Sequence, residues 1–300
     1  MRILIAYDGS PGSEQALALA GSLPWPAHST LRVASVVEGA LAYYTGVRHE
    51  LVAPSQIDLQ LLEARQHQVT DAVGRLRREG VQVDGVVLRG RPATVLVDEA
   101  VSFAPDLLIA GSHGHGVVGR MVLGSVTAEL SDGAPCPVLV ARTSEIRTIV
   151  VAVDGSPAAE AAASMLEAWP LDPAGVIHVV SVAEVMDPVE FGLAPAAYHA
   201  AAEQHAKVVA EQQAQASRIA EETAARLRAA GRPAQATTRT GRAAAQIMAL
   251  AEETDADLIV VGSRGRTGIA RIVLGSVART VLNGSTSSVL IVRSPQADPT

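Results

Sequence analysis

Short apolar runs alternate with longer stretches in which apolar residues recur at helical spacing, and the whole series passes along the chain twice. In the first pass the runs are RILIAY (2–7), LRVASVV (31–37), VQVDGVVL (81–88), LLIAG (107–111) and PVLVA (137–141). Runs of this length, rich in Val, Ile and Leu and bounded by turn formers, read as strands of a buried parallel sheet. Amphipathic stretches predict helices over about 12–22 and 56–79, a third after Pro92, and a fourth opening at Gly124-Ser125. The second pass returns TIVVAV (148–153), VIHVVSV (176–182), AQATTRT (234–240), LIVVG (258–262) and SVLIV (288–292), with a long helix over about 197–230. Gly80 and Gly231 stop the two long helices at positions suited to the left-handed conformation. Alternation in this order predicts an α/β fold of two tandem repeats, each a mostly parallel sheet with helices on both faces. Residues 142–146 join the halves with almost no linker, which places the domains at 1–143 and 147–294.

Both halves carry the same two junctions. The first strand of each ends in Asp-Gly-Ser-Pro (Asp8–Pro11 and Asp154–Pro157), with Ser available as N-cap and Pro at the first helical position. The aspartates read either as turn formers or as ligand contacts, and their repetition favours the second. The fourth strand of each half runs into a glycine loop, GSHGHGVVGRMVLGS (111–125) and GSRGRTGIARIVLGS (262–276). Glycines there turn the chain sharply and let backbone approach a ligand, and a helix start aims free N–H groups at an anion. A phosphate is the natural ligand; a turn-only role competes, and the identical spacing of two diverged copies counts against it. Asp8 and Asp154 are offset by 146 residues but Gly111 and Gly262 by 151, so five extra residues lie between the first and fourth strands of the second half. The variable loops around Tyr43, Tyr44 and Pro54, and around Pro188, Phe191 and Pro195, together with the long helix, are the expected place.

Hydrophobic residues make up 48% of the 300 residues and aromatics 3%, so the cores are filled by Val, Leu, Ile and Ala. The net charge of −7 and the lack of a long Lys/Arg cluster argue against nucleic-acid binding, while a single nucleotide remains compatible. The one cysteine, Cys136, reads as a small packed residue, with a reactive thiol as the minor alternative, and excludes a disulfide-built protein. The N-terminal apolar run is too short for a signal sequence and no 18-residue apolar stretch occurs, so no membrane association and a cytoplasmic location are expected.

Gly114, Gly116 and Gly119 form a G-x-G-x-x-G, but the second copy has Gly265, Thr267 and Ala270, and the match falls on a fourth strand rather than a first. No Walker-type G-x-x-x-x-G-K-[ST] is present. His113 and His115 invite a metal reading, yet their counterparts are Arg264 and Arg266; cationic or polar side chains flanking phosphate account for both. Arg91 and Arg242 open helices near strand ends, where surface ion pairs are the simpler role. No catalytic constellation recurs, and no residue is assigned a catalytic or metal-binding role.

The chain resembles a tandem universal stress protein. The family's nucleotide-binding branch carries G-2x-G-9x-G-[ST], matched by Gly111, Gly114, Gly124 and Ser125, and again by Gly262, Gly265, Gly275 and Ser276. The resemblance covers nearly the whole chain, including Asp8 and Asp154. It implies a five-stranded, Rossmann-like sheet in each half, of the adenine nucleotide alpha hydrolase-like kind. It also implies ATP as ligand, with Mg2+ on the phosphates. The loop backbone with the Ser125 and Ser276 hydroxyls, followed by Val126 and Val277, would hold the phosphates, flanked by His113 and Arg264. Asp8 and Asp154 would sit near the nucleoside, and Val33 and Val179 would offer backbone contacts to adenine. Further implications are pairing of the halves through their last strands, a possible homodimer, and an unidentified regulatory protein partner. The expected function is a nucleotide-dependent regulator in stress response; the alternative on the same fold is a slow ATP-hydrolysing or ATP-transferring enzyme. The halves differ at His113 and Arg264 and in the variable loop, so equal affinity of the two sites does not follow from the resemblance.

Overall fold

The computed structural model describes residues 1–38, 56–114, 123–169, 175–184, 195–265 and 274–293. The variable loops, including Tyr43, Tyr44, Pro54, Pro188 and Phe191, lie outside the described residues, as do His115 and Arg266. The chain forms two compact units, the first containing Met1–Glu145 and the second beginning at Ile146.

In the first unit the elements are β1 (Arg2–Ala6), α1 (Pro11–Ser22), β2 (Ser29–Val37), α2 (Gln56–Leu76), β3 (Val81–Arg89), α3 (Pro92–Phe103), β4 (Leu107–Gly111), α4 (Ser125–Gly133) and β5 (Val138–Ala141). The strand order is β3-β2-β1-β4-β5 and every pairing is parallel. Helices α1 and α2 cover one face and α3 and α4 the other, the arrangement that right-handed crossovers require. Burial on both faces explains the unbroken apolar runs, since Ile3, Leu4, Ile5, Leu107, Leu108 and Ile109 are wholly inaccessible.

The second unit repeats the plan: β6 (Thr148–Ala152), α5 (Pro157–Ala168), β7 (Val176–Ala183), α6 (Pro195–Ala229), β8 (Ala234–Thr240), α7 (Ala243–Glu253), β9 (Leu258–Gly262), α8 (Ser276–Gly284) and β10 (Ser288–Val292). Its order is β10-β9-β6-β7-β8. At the outside of the sheet, β8 is buried only at Ala234 and is otherwise half-buried or exposed, which is why AQATTRT carries Thr and Arg where the inner strands carry Val and Ile.

Local signals set the helix ends. Ser10 and Ser156 are N-caps whose hydroxyls accept from Ser13 N and Ala159 N, each at 3.3 Å, and Pro11 and Pro157 open the helices. Gly80 and Gly231 adopt φ of 78° and 79°, the left-handed geometry expected after the long helices. Near those ends an arginine reaches back to the other helix of its face. Arg78 donates to the carbonyls of Gly21 and Leu23 (3.1 and 2.6 Å), and Arg232 donates to those of Glu167 and Trp169 (3.5 and 2.5 Å). Gly21 and Glu167 lie in the last turns of α1 and α5, whose carbonyls lack intrahelical partners, and Leu23 and Trp169 are the residues that follow these helices. Cys136 is a buried free cysteine.

The last residue of β4 touches the first turn of α1. A Cβ on Gly111 would stand 2.3 Å from the Gly12 carbonyl carbon and 2.6 Å from Ser13 N; on Gly262 it would stand 2.8 Å from the Ala158 carbonyl carbon. Backbone cannot yield to such contacts without separating helix from sheet. Gly111→Ala is therefore expected to cost about 1–3 kcal/mol of first-unit stability and Gly262→Ala less, in the order of the two clearances. Thermal unfolding followed by circular dichroism checks this, and equal, negligible shifts for both would contradict it.

Candidate functional site

In this strand order the chain leaves β1 in one direction and β4 in the other, which opens a crevice at their C-terminal ends. Asp8 lies just past β1, and Gly111 ends β4. A cavity of about 280 Å³ occupies the crevice. Ala34 and Val36 from β2, Leu96 from α3 and Leu130 from α4 give it an apolar wall, while Asp8, His113, Gly114 and the turn Gly124–Thr127 form its polar rim.

The glycine loop is closed at its neck. Gly124 N donates to Ser112 O at 2.8 Å, and Gly275 N to Ser263 O at 2.8 Å, so the two ends of the loop are bonded to each other in both units. The Asp-Gly-Ser-Pro junction braces that neck. The Ser10 hydroxyl donates to His113 O (3.4 Å) and the Ser156 hydroxyl to Arg264 O (3.2 Å). Asp8 Oδ1 and Asp154 Oδ1 accept from Ser10 N and Ser156 N, each at 2.9 Å. Tight backbone passage explains two of the motif's glycines: Gly111 sits on α1, and a Cβ on Gly124 would stand 3.3 Å from His113 Cα. The glycine between them faces the aspartate, because a Cβ on Gly114 would stand 3.0 Å from Asp8 Oδ2 and one on Gly265 2.9 Å from Asp154 Oδ2.

Ser125 and Ser276 do not cap their helices. Gly124 and Gly275 occupy the N-cap positions in extended conformation, and the serines are the first helical residues. Glycine takes the cap because the same residue must pass close to the neck. The serine hydroxyls are thus not used in capping and stand where α4 and α8 present unpaired N–H groups, followed by Val126 on the first cavity's rim and by Val277 in α8.

Val33 is fully buried in β2 and does not line the cavity; its neighbours Ala34 and Val36 do. Val179 is equally buried in β7. Beside Asp154 in the second unit is a hollow of about 40 Å³, bounded by Ser181, Val182, Gln215, Ala216 and Ile219. The units differ at the loop as well. His113 Nδ1 lies 2.9 Å from the Ser112 hydroxyl, and its counterpart is Arg264. Thr127 donates to Gly111 O at 2.6 Å, whereas the second unit has Ala278 there. Arg91 forms an exposed ion pair with Glu129 at 2.7 Å. Among the described residues, no group of three or more His, Cys, Asp or Glu side chains could hold a metal ion.

Reading by repetition missed Tyr7, Arg65 and Thr127, since none of them recurs in the second half. Tyr7 lines the cavity and donates to Glu14 Oε1 at 2.5 Å. Arg65 from α2 donates to the Asp8 carbonyl.

Each unit is thus a doubly wound α/β domain, and in the first a cavity at the switch point is lined by both ends of the glycine loop. The chain belongs to the universal stress protein family: the family model matches residues 1–142 and 145–293. A universal stress protein of Mycobacterium tuberculosis is 28% identical over 99% of this chain and 96% of its own length. One from Thermus aquaticus is 29% identical over 47% of this chain and 97% of its own length. Among solved structures, a universal stress protein from Archaeoglobus fulgidus has the same fold at 17% identity, with a TM-score of 0.64 and 98% of each chain covered. A putative universal stress protein from Pseudomonas aeruginosa matches with a TM-score of 0.57 at 19% identity, over 97% of this chain and 92% of its own. Among the described residues, no helix is long and apolar enough to cross a membrane.

Burial and then the hydrogen bond to Glu14 push the Tyr7 phenol up to about 12. Because the folded value lies above the unfolded one of about 10, its stabilising contribution is complete below pH 10 and is lost as pH rises towards 12. Absorbance titration at 295 nm is expected to show one late tyrosine that disappears in Tyr7→Phe; a late step surviving in that variant would contradict the assignment.

Proposed function

We propose that the protein is an ATP-binding universal stress protein in which nucleotide occupancy biases a conformation or the binding of a regulatory protein partner. The observation that carries this reading is the crevice of the first unit, where an apolar wall, a carboxylate and a helix N-terminus meet around one cavity. Ala34, Val36 and Leu96 suit a purine face, Asp8 suits ribose hydroxyls as acceptor, and the loop neck with Ser125 suits phosphate oxygens. The same elements in the second unit, with Asp154, Gly265 and Ser276, support a second site. Mg2+ is proposed only as a companion of the phosphates. Pairing of the domains through their last strands and a homodimer complete the proposal and rest on the family resemblance; a cytoplasmic location is proposed from the pattern of apolar runs.

Slow hydrolysis or transfer from ATP is the competing activity on this fold. The carboxylate common to both units, Asp8 and Asp154, has one oxygen engaged by backbone and the other against a glycine, which supports a binding role over that of a base. Single-turnover incubation with labelled ATP separates the readings: a binder returns the nucleotide intact, and steady release of ADP favours the enzyme.

Calorimetry on protein freed of nucleotide is expected to show up to two ATP sites, and a flat titration would remove the proposal. Since the serines are not N-caps, Ser125→Ala and Ser276→Ala are expected to leave stability nearly unchanged. Ser125→Asp and Ser276→Asp are expected to fold, with the helix dipole favouring the new charge, and to bind ATP poorly because an anion occupies the phosphate position. Undiminished affinity in the Asp variants would take these serines out of the site.

The glycine facing each aspartate supplies a separate check. In Gly114→Ala and Gly265→Ala the methyl group displaces a carboxylate oxygen, a movable neighbour, so about 1 kcal/mol or less of stability is expected to be lost. The larger effect is expected on the affinity of the substituted unit. Equal melting losses without any loss of ATP affinity would make these glycines turn residues only.

A further inference from the structure

The long helices α2 and α6 can be superposed residue by residue from two sets of contacts. Arg75 pairs with Glu14 at 2.8 Å and Arg226 with Glu160 at 2.5 Å, linking the same two helical positions in each unit. Nearer the other end, the space above Gly9 is taken by Gln68 and that above Gly155 by Ile219. Both sets give one register, and in that register Arg65 corresponds to Ala216.

The consequence at the site is local. In the first unit the Arg65 guanidinium donates to the Asp8 carbonyl and to Gln68 Oε1 (3.1 Å), bridging α2 to the residue that carries the site carboxylate. In the second unit Ala216 is buried, and the hollow of about 40 Å³ lies between it and Asp154. A guanidinium adjoining Asp8 does two things that a methyl group cannot. It fixes the Asp8 backbone through a charge-assisted hydrogen bond, and its positive charge offsets that of the carboxylate which an anionic ligand must approach.

We infer that Arg65 is a positioning residue that makes the first glycine-loop site the tighter of the two, and that Ala216 leaves the second site looser. This rests on the nucleotide reading above. Arg65 is not part of the cavity lining; it acts through Asp8.

The test uses the full chain freed of nucleotide, titrated with 8-azido-ATP, photolysed, and mapped by peptide so that each half is read separately. The unsubstituted protein is expected to label the first half at lower nucleotide concentration than the second. Arg65→Ala is expected to weaken first-half labelling about tenfold, the scale of one charge-assisted hydrogen bond, and to leave the second half unchanged. Arg65→Lys, which restores charge and a donor, is expected to recover most of that loss, and Ala216→Arg is expected to tighten the second half. First-half affinity is also expected to lose salt sensitivity in Arg65→Ala, a change that simple loss of packing would not produce. Unchanged first-half labelling in Arg65→Ala, equal shifts in both halves, or Arg65→Lys as weak as Arg65→Ala would overturn the inference while leaving ATP binding intact. Absence of labelling in both halves of the unsubstituted protein would remove the ATP reading and this inference together.

Discussion

Everything at the crevice depends on how closely the end of β4 approaches the first turn of α1. Gly111 meets the backbone of Gly12 and Ser13 with no room for a methyl group, and Gly262 meets Ala158 and Ala159 almost as tightly. That contact brings the Asp-Gly-Ser-Pro turn within reach of the loop neck, so that Ser10 can hold the carbonyl of His113 while its own N–H holds Asp8. One serine thereby caps a helix, orients a carboxylate and anchors a loop. The three tasks are compatible because α1 starts against the end of a neighbouring strand rather than over its own.

The neck also explains why spacing survived while composition drifted. The bonds from Gly124 N to Ser112 O and from Gly275 N to Ser263 O hold the two ends of the loop at the same separation in both units. The five extra residues of the second half accordingly enter elsewhere: the offset is still 146 at Val33 and Val179, and is 151 by Arg75 and Arg226.

The fold was legible because its determinants are local and repeated. Apolar runs named the strands, Ser-Pro and Gly named the helix ends, and duplication separated signal from accident. The site was legible only where it recurred. Asp8, Gly114 and Gly124 converge on one crevice in the structure, yet their reasons differ, and sequence spacing could not tell a glycine that clears a helix from one that faces a carboxylate. Val33 is a different case: strand side chains alternate between faces, so Ala34 and Val36 line the cavity with their side chains, while the contact expected of Val33 is one of main chain alone. At the start of α4 only geometry distinguishes the cap, Gly124, from the first helical residue, Ser125. Tyr7 and Arg65 act in one unit alone and were invisible to any reading that trusted repetition.

Arg78 precedes its left-handed glycine by two residues, whereas Arg232 follows its own by one, yet both guanidiniums donate to carbonyls at the end of α1 or α5. A column-by-column alignment of the halves would score these arginines as unrelated surface residues, each replaceable. In space they are one requirement met from two addresses. The long flexible arm of arginine lets a helix terminus recruit its donor from whichever nearby position holds one, so the bond is inherited as a location rather than as a residue. Homologous repeats can therefore exchange the residue that performs a structural task without ever passing through a form that lacks it, provided the second arginine arrives before the first is lost.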